Sequence, residues 1–252
     1  MSRSYRIDIA GYYHIVNRGV EQRDIFLDTK DYEKFCTILN TTSLKFYVTV
    51  HCYCLMTNHY HLLIETKNAK LSSFMKIINH QYAIYFNKKY KRVGHLWQGR
   101  FKSWYVTDER YLYTLIKYIE NNPLKANMVE KLGDYNYSSY LCFIRETKSL
   151  DCMQGSLLLQ NYSKEQTKDF FTHAYNPQEL EEINKNSSLV VSSLEKEDLD
   201  LQSMIFDFEN YETKKERNEL IHEYYQEGFS QHLIAKHVGL SQAGVNKIIN
   251  QK

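Results

Sequence analysis

Residues 45–66 read KFYVTVHCYCLMTNHYHLLIET, two runs rich in β-branched and aromatic residues that meet at Thr57-Asn58. Neither glycine nor proline interrupts them. Alternation of this kind commits a chain to a β-hairpin, and a hairpin needs further strands or a helix layer to cover its apolar face. The second run carries His59 and His61 two residues apart. Successive strand side chains point to opposite faces, so the two imidazoles share one face while Tyr60 and Leu62 share the other. Such a pair can hold a metal ion. It can equally be two hydrogen-bonded histidines on a solvated face, and a metal centre would need further donors.

The surrounding segments supply the cover. YYHIVNRG (12–19) reads as a strand ending at Gly19, and TKDYEKFCTILNTTS (29–43) has helical spacing with Thr29 as its cap. LSSFMKIINHQYAIYFNKKY (71–90) is a long amphipathic helix, RFKSWYVT (100–107) a strand, and Asp108 caps a helix that stops before Pro123. Strand, helix, strand, strand, helix, strand, helix is the order of an α+β, ferredoxin-like sandwich, an antiparallel sheet with helices on one face. The expected organisation is a first domain over residues 1–150, a polar to acidic helical linker over 151–212, and a helix-turn-helix over 213–252. In the last, Leu220, Ile234, Ala235, Val238, Leu240, Val245 and Ile248 form the small core and Gly239 allows the turn. Ser241, Gln242, Asn246 and Lys247 then lie on or near its groove-facing side.

A net charge of +2 hides an asymmetry. From Lys67 to Tyr105 there are nine Lys or Arg and no Asp or Glu; from Pro177 to Glu212 ten acidic residues face two lysines. The basic stretch is interleaved with aromatic residues, a pattern suited to a phosphate backbone with bases to stack. Candidate nucleic-acid contacts are Arg18, Lys88, Lys89, Lys91, Arg92, Trp97, Gln98, Arg100 and Lys102. No apolar run approaches the ~20 residues that cross a bilayer, and the N-terminus lacks a signal-peptide layout. Five cysteines without a CxxC pair read as reduced and buried. The expected location is cytoplasmic, at the nucleoid.

A metal acting on phosphate prefers oxygen among its further donors. LIKYIENNP places Tyr118 and Asn122 one helical turn apart, on one face. One can offer an amide oxygen, the other a phenol. With 22 tyrosines in the chain, residue type alone does not single out Tyr118; Tyr111, two turns earlier, is its rival, and a core role for either stays open.

These motifs together resemble the single-tyrosine HUH transposases, most closely the branch associated with repetitive extragenic palindromes (REP-associated tyrosine transposases). The resemblance rests on YHIVNRG (13–19), CLMTNHYHLLIE (54–65), LWQGRFKS (96–103), YIENNPLKA (118–126) and DYNYSSY (134–140), and spans roughly residues 5–145. Thr57, Asn127 and Tyr137 stand where the family usually has proline, glycine and tryptophan. The resemblance implies that His59, His61 and Asn122 bind Mg²⁺ or Mn²⁺ and that Tyr118 is the nucleophile. It implies cleavage and rejoining of single-stranded, hairpin-bearing DNA through a 5′-phosphotyrosine, by a monomer or homodimer, with duplex DNA as a further partner of the C-terminal module. The alternative is a regulator that keeps the fold and binds DNA without cutting it.

Overall fold

A computed structural model describes residues 8–68, 70–106, 109–173, 213–227, 234–235 and 238–250. The chain divides into two compact units, one drawn from residues 11–66 and 72–190, the other from 1–10, 67–71 and 191–252.

The first unit is built on four strands: β1 (Gly11–Arg18), β2 (Val48–Leu55), β3 (His59–Thr66) and β4 (Lys102–Val106). They form one sheet in the order β2-β3-β1-β4, and every pairing is antiparallel. The hairpin forms where the sequence requires, with a bulge between Val50 and Cys52. Gly19 ends β1 because its amide binds the Asn58 carbonyl at 2.8 Å and a Cβ there would overlap the Arg23 carbonyl.

Three longer helices flank the sheet: α1 (Thr29–Phe46), α2 (Leu71–Lys89) and α3 (Glu109–Glu120). The cap of α1 is Asp28 rather than Thr29. Its side chain accepts from the Asp31 amide while Asp31 reaches back to the Asp28 amide, and this reciprocal box satisfies two otherwise orphaned donors. Asp108 lies outside the described residues.

The helices cover both faces of the sheet, not one. Tyr60, fully buried, packs on Phe35 of α1 with ring centroids 4.8 Å apart and donates to Asn79 of α2 at 2.8 Å. His61, its neighbour on the opposite face, meets α3 instead. The alternation of β3 therefore divides two layers, an aromatic core under α1 and α2 and a more polar layer under α3. Behind α3 the chain makes three short helices, α4 (Asn122–Lys125), α5 (Tyr140–Phe143) and α6 (Leu157–Asn161), and then α7 (Lys164–Thr172). Phe170 of α7 packs on Tyr113 of α3, and Phe171 on Tyr140. Residues 151–173, at the start of the stretch read as a linker, thus pack on the sheet unit; residues 174–212 lie outside the described ones. All five cysteines are free.

The second unit contains α8 (Lys214–Glu227) and α9 (Gln242–Asn250). Leu220, Ile234, Ala235, Val238 and Val245 are buried together, joined by Ile221 and Tyr224, with Leu240 and Ile248 packed against them. Gly239 takes φ +67°, a left-handed conformation that costs a glycine nothing. Ser241, Asn246 and Lys247 are exposed; Gln242 begins α9, and its side chain lies outside the described ones.

Candidate active site

The polar layer under α3 gathers three histidines. Cross-strand partners in an antiparallel sheet project from the same face. β1 pairs Arg18 with His59 and Val16 with His61, and Val16 pairs in turn with Lys102 of β4. Arg18, His14, His59, His61 and Lys102 therefore share one face. The His59 and His61 rings lie 5.1 Å apart. His59 Nδ1 donates to the Asn58 side-chain oxygen at 2.6 Å, which leaves Nε2 with its lone pair. His61 Nδ1 is hydrogen-bonded to His14 Nε2 at 3.0 Å; His14 is stacked between His61 and Trp104, with ring centroids 5.3 and 5.1 Å away. A neighbour that fixes one ring nitrogen fixes the tautomer and aims the other nitrogen outward.

Burial sets the charge state. It holds His61 well below the ordinary imidazole pKa, and the repulsion a charged His61 would meet from His14, His59 and Lys125 lowers it further. Burial and then Arg18 lower His59, and burial drives His14 to about 3. All three rings are neutral at pH 7, the form in which imidazole binds metals.

Tyr118, on α3, brings its ring to 6.3 Å from His61 and 6.2 Å from His14, nearly perpendicular to both. Tyr111 lies two turns away, about 10 Å along the helix axis. Burial raises the Tyr118 phenol pKa, so the hydroxyl keeps its proton at rest. Asn122 opens α4; its amide nitrogen donates to the Tyr118 and Ile119 carbonyls at 3.0 and 3.1 Å, which leaves the amide oxygen as the atom it can offer a cation. Among the described residues no three His, Cys, Asp or Glu side chains form a metal-binding group. Two imidazole nitrogens and an amide oxygen make a neutral donor set of a kind that divalent ions accept.

The C-terminal end of α3 is anchored by Glu120, fully buried. Its carboxylate accepts from the Ser139 hydroxyl and, at 3.0 Å, from the Tyr140 amide. The 138–140 segment also binds β2, through the Ser139 amide to the Tyr53 carbonyl at 3.0 Å. Burial raises the Glu120 pKa to about 7 against those hydrogen bonds. Helix, closing segment and sheet are thereby tied together two residues from Tyr118.

The candidate nucleic-acid contacts separate. Arg18, Lys88, Lys91, Gln98, Arg100 and Lys102 are exposed. Arg92 is half-buried, its guanidinium 5.6 Å from the Phe86 ring centroid. Lys89 belongs instead to the fold, paired at 2.7 Å with both Asp28 and Asp31. Trp97 likewise faces inward, its indole donating to the Asn79 carbonyl at 2.9 Å and packing on Tyr60 and Tyr82. The three departures from the family pattern are accommodated. The Thr57 carbonyl accepts from the Ile25 and Phe26 amides, Asn127 takes φ +53°, and Tyr137 stacks on Tyr32 with ring centroids 3.5 Å apart. His14, Asn58, Glu120 and Lys125 are contributors that the motifs contain but do not single out.

Residues 9–122 match the family model described as IS200-like transposase. No curated protein matches the chain in sequence. Among solved structures it is similar to a REP-associated tyrosine transposase bound to a REP hairpin, at 19% identity and a TM-score of 0.49, over 60% of this chain and 90% of that one. It is similar at 19% identity and a TM-score of 0.35 to a candidate transposase from Deinococcus radiodurans R1, over 48% and 97%. A third similarity, at 9% identity and a TM-score of 0.35, is to tRNA(His) guanylyltransferase from Saccharomyces cerevisiae, over 68% and 80%.

Proposed function

We propose that the chain is a transposase of the IS200-like family, whose model residues 9–122 match, and that it acts as a metal-dependent single-stranded DNA endonuclease and strand transferase on hairpin DNA. The observation that carries this reading is the approach of Tyr118 to within 6.3 Å of His61, ring to ring, on the face that His61 shares with His59. A phenol beside two neutral imidazoles, with the Lys125 ammonium 4.3 Å from its ring centroid, suits attack on a phosphodiester.

In the proposed reaction the Tyr118 hydroxyl oxygen attacks the scissile phosphorus. An oxygen–phosphorus bond forms to tyrosine and the bond to the 3′-oxygen breaks; the phenol proton is lost and the departing 3′-oxygen takes one up. The number of phosphoester bonds is unchanged, so a second 3′-hydroxyl can reverse the step and join strands without an external energy source. Phenol is a weak nucleophile while protonated, and burial here strengthens its hold on the proton. His59, His61 and Asn122 would hold Mg²⁺ or Mn²⁺, which when bound supplies Lewis-acid polarisation of the phosphate. Neutral donors alone bind a hard divalent ion weakly, so ion and DNA phosphate are expected to bind with mutual reinforcement. The exposed cations Arg18, Lys91, Arg100 and Lys102 would track the backbone of the substrate.

The second unit reads best as a helix-turn-helix for duplex DNA, supported by the core around Ile234 and Val245 and by the left-handed Gly239. Replacing Asn246 and Lys247 together by alanine is expected to weaken duplex binding; unchanged affinity would remove that role.

The test of the main reading is a pool of labelled hairpin oligonucleotides with randomised single-stranded flanks, incubated with the protein and Mn²⁺. A covalent adduct on a denaturing gel, lost in Tyr118→Phe, supports the enzyme. Binding without adduct across the pool would overturn it in favour of a non-cleaving regulator.

A further inference from the structure

Tyr118 sits in the last turn of α3, which ends at Glu120, and Pro123 at the start of α4 prevents the helix from running on. The last turn of a helix is its least constrained. Here that turn is pinned. Glu120 is fully buried, and its carboxylate accepts from the Ser139 hydroxyl and, at 3.0 Å, from the Tyr140 amide. At about 100° per residue, Glu120 and Tyr118 project from roughly opposite sides of the helix.

The partners of Glu120 are themselves bound to the sheet, beside the histidine strand. The Leu55 amide donates to the Tyr137 carbonyl at 2.9 Å and the Ser139 amide to the Tyr53 carbonyl at 3.0 Å, while the Ser139 hydroxyl oxygen accepts from the Tyr53 amide at 2.9 Å. Ser138 pairs with Cys54, and Cys54 pairs with His61. One residue of β2 therefore separates the closing segment from the histidine strand. Tyr140 packs in turn against Phe171 of α7, ring centroids 5.1 Å apart. A helix held on one side only can roll about its axis, and a roll of about 20° carries a side-chain end about 2 Å. Glu120 on one side, with the Tyr118 contacts to His61 and His14 on the other, removes that freedom.

We propose that Glu120 is a positioning residue for strand cleavage: its bonds to Ser139 and Tyr140 fix the roll of α3, and with it the reach of the Tyr118 hydroxyl toward a phosphate at His59 and His61. The inference rests on the reading of Tyr118 as nucleophile. Glu120 touches no reacting group and exchanges no proton; it acts through the helix. In-line attack is sensitive to such placement, since an error of about 1 Å can cost about 100-fold in rate. The latch needs a planar side chain of the same reach, and glutamine supplies one. Its carbonyl can accept from the Tyr140 amide and its amide nitrogen can donate to the Ser139 oxygen, whose hydroxyl then turns to the Tyr53 carbonyl, 3.3 Å away.

The experiment compares the full chain as wild type, Glu120→Ala, Glu120→Gln and Ser139→Ala. The first readout, amide hydrogen exchange, needs neither metal nor DNA. Residues 115–122 of Glu120→Ala are expected to exchange about tenfold faster with β3 unchanged, and those of Glu120→Gln to match wild type. The second is single-turnover adduct formation with Mn²⁺ on a hairpin oligonucleotide recovered as adduct from the pool. Glu120→Ala is expected to slow it about 100-fold with hairpin affinity within about threefold of wild type, and Glu120→Gln to recover most of the rate. Ser139→Ala removes one of the two bonds and is expected to cost about tenfold; it decides the matter if Glu120→Ala does not fold. Wild-type exchange and a wild-type rate in the folded variant would overturn the proposal. A Glu120→Gln protein as slow as Glu120→Ala would overturn it too, by assigning the effect to charge. Faster exchange spread equally over β3 would do so as well, by marking a role in global stability. If wild type forms no adduct, or Tyr118→Phe still does, the nucleophile assignment falls and this inference falls with it. If both behave as expected and Glu120→Ala is silent, only Glu120 loses its role.

Discussion

Two polar clusters in the sheet unit are built on opposite principles. Around Asp31, buried at the start of α1, every interaction is matched. Its carboxylate accepts from the Leu27 amide at 2.8 Å, from the Tyr85 and Tyr90 hydroxyls at 3.0 and 2.7 Å, and from Lys89 at 2.7 Å. The cluster ties the start of α1 to the end of α2, across 58 residues of sequence. Around His61 the groups are of another kind: three neutral imidazoles and a protonated phenol, with the Lys125 ammonium over the phenol ring. A buried charge with its partners supplied is a structural joint. A site that acts on a substrate is built to be completed from outside, and on the reading proposed above the completing group here is the DNA phosphate.

The difference is open to test at both ends. The largest effect is expected from His61→Ala, which should reduce adduct formation about 1000-fold in a single-turnover assay. Asp31→Asn should do the reverse. It is expected to lower stability by about 3 kcal/mol in urea unfolding while leaving the adduct yield per folded molecule unchanged. Burial opposes ionisation of Asp31, but Lys89, the Leu27 amide and the two tyrosine hydroxyls outweigh it and hold the carboxyl below its ordinary 3.8. A lowered carboxyl pKa contributes stability above the unfolded value that is lost as pH falls below it. Wild-type unfolding midpoints should therefore decline more steeply than those of Asp31→Asn below about pH 4.

His14→Gln keeps a hydrogen-bonding group beside His61 but not the stacked ring. About a tenfold loss in adduct rate is expected, with Mn²⁺ affinity in the presence of hairpin, read by calorimetry, falling by a similar factor. The smallest effect separates two lysines that composition treats alike. Lys91→Ala should reduce the salt slope of hairpin binding by about one without touching stability, whereas Lys89→Ala should destabilise the fold and leave the slope unchanged. If Lys89→Ala changes the slope instead, the division between joint and site is wrong.

Much of the layout was readable because its signals are local. The hairpin, the helices over 29–46 and 71–89 and the strand before Arg18 follow from alternation and turn residues within each segment. In the second unit, five of the residues proposed for a small core, from Leu220 to Val245, are buried together; Ile221 and Tyr224 lie on the same helix and were missed. Charge counting grouped Lys89 with Lys91 because it sees no partner 58 or 61 residues away. Trp97 reads locally as available for stacking, yet Asn79 and Tyr60 engage it from segments elsewhere in the chain. His14 lies inside the YHIVNRG motif, but its closeness to His61 depends on a register no single strand encodes.

The sequence by itself determined that His59 and His61 face one way, because strand parity is a property of consecutive residues. It likewise determined that Tyr118 and Asn122 lie one turn apart. Only the tertiary structure decided that α3 covers the histidine face while α1 and α2 cover the other, since that choice rests on which apolar stripe packs on which layer. It also decided that Lys125 reaches Tyr118 and that Lys89 turns to Asp31. Those encounters come from the packing of segments remote in the chain, which local pattern does not fix.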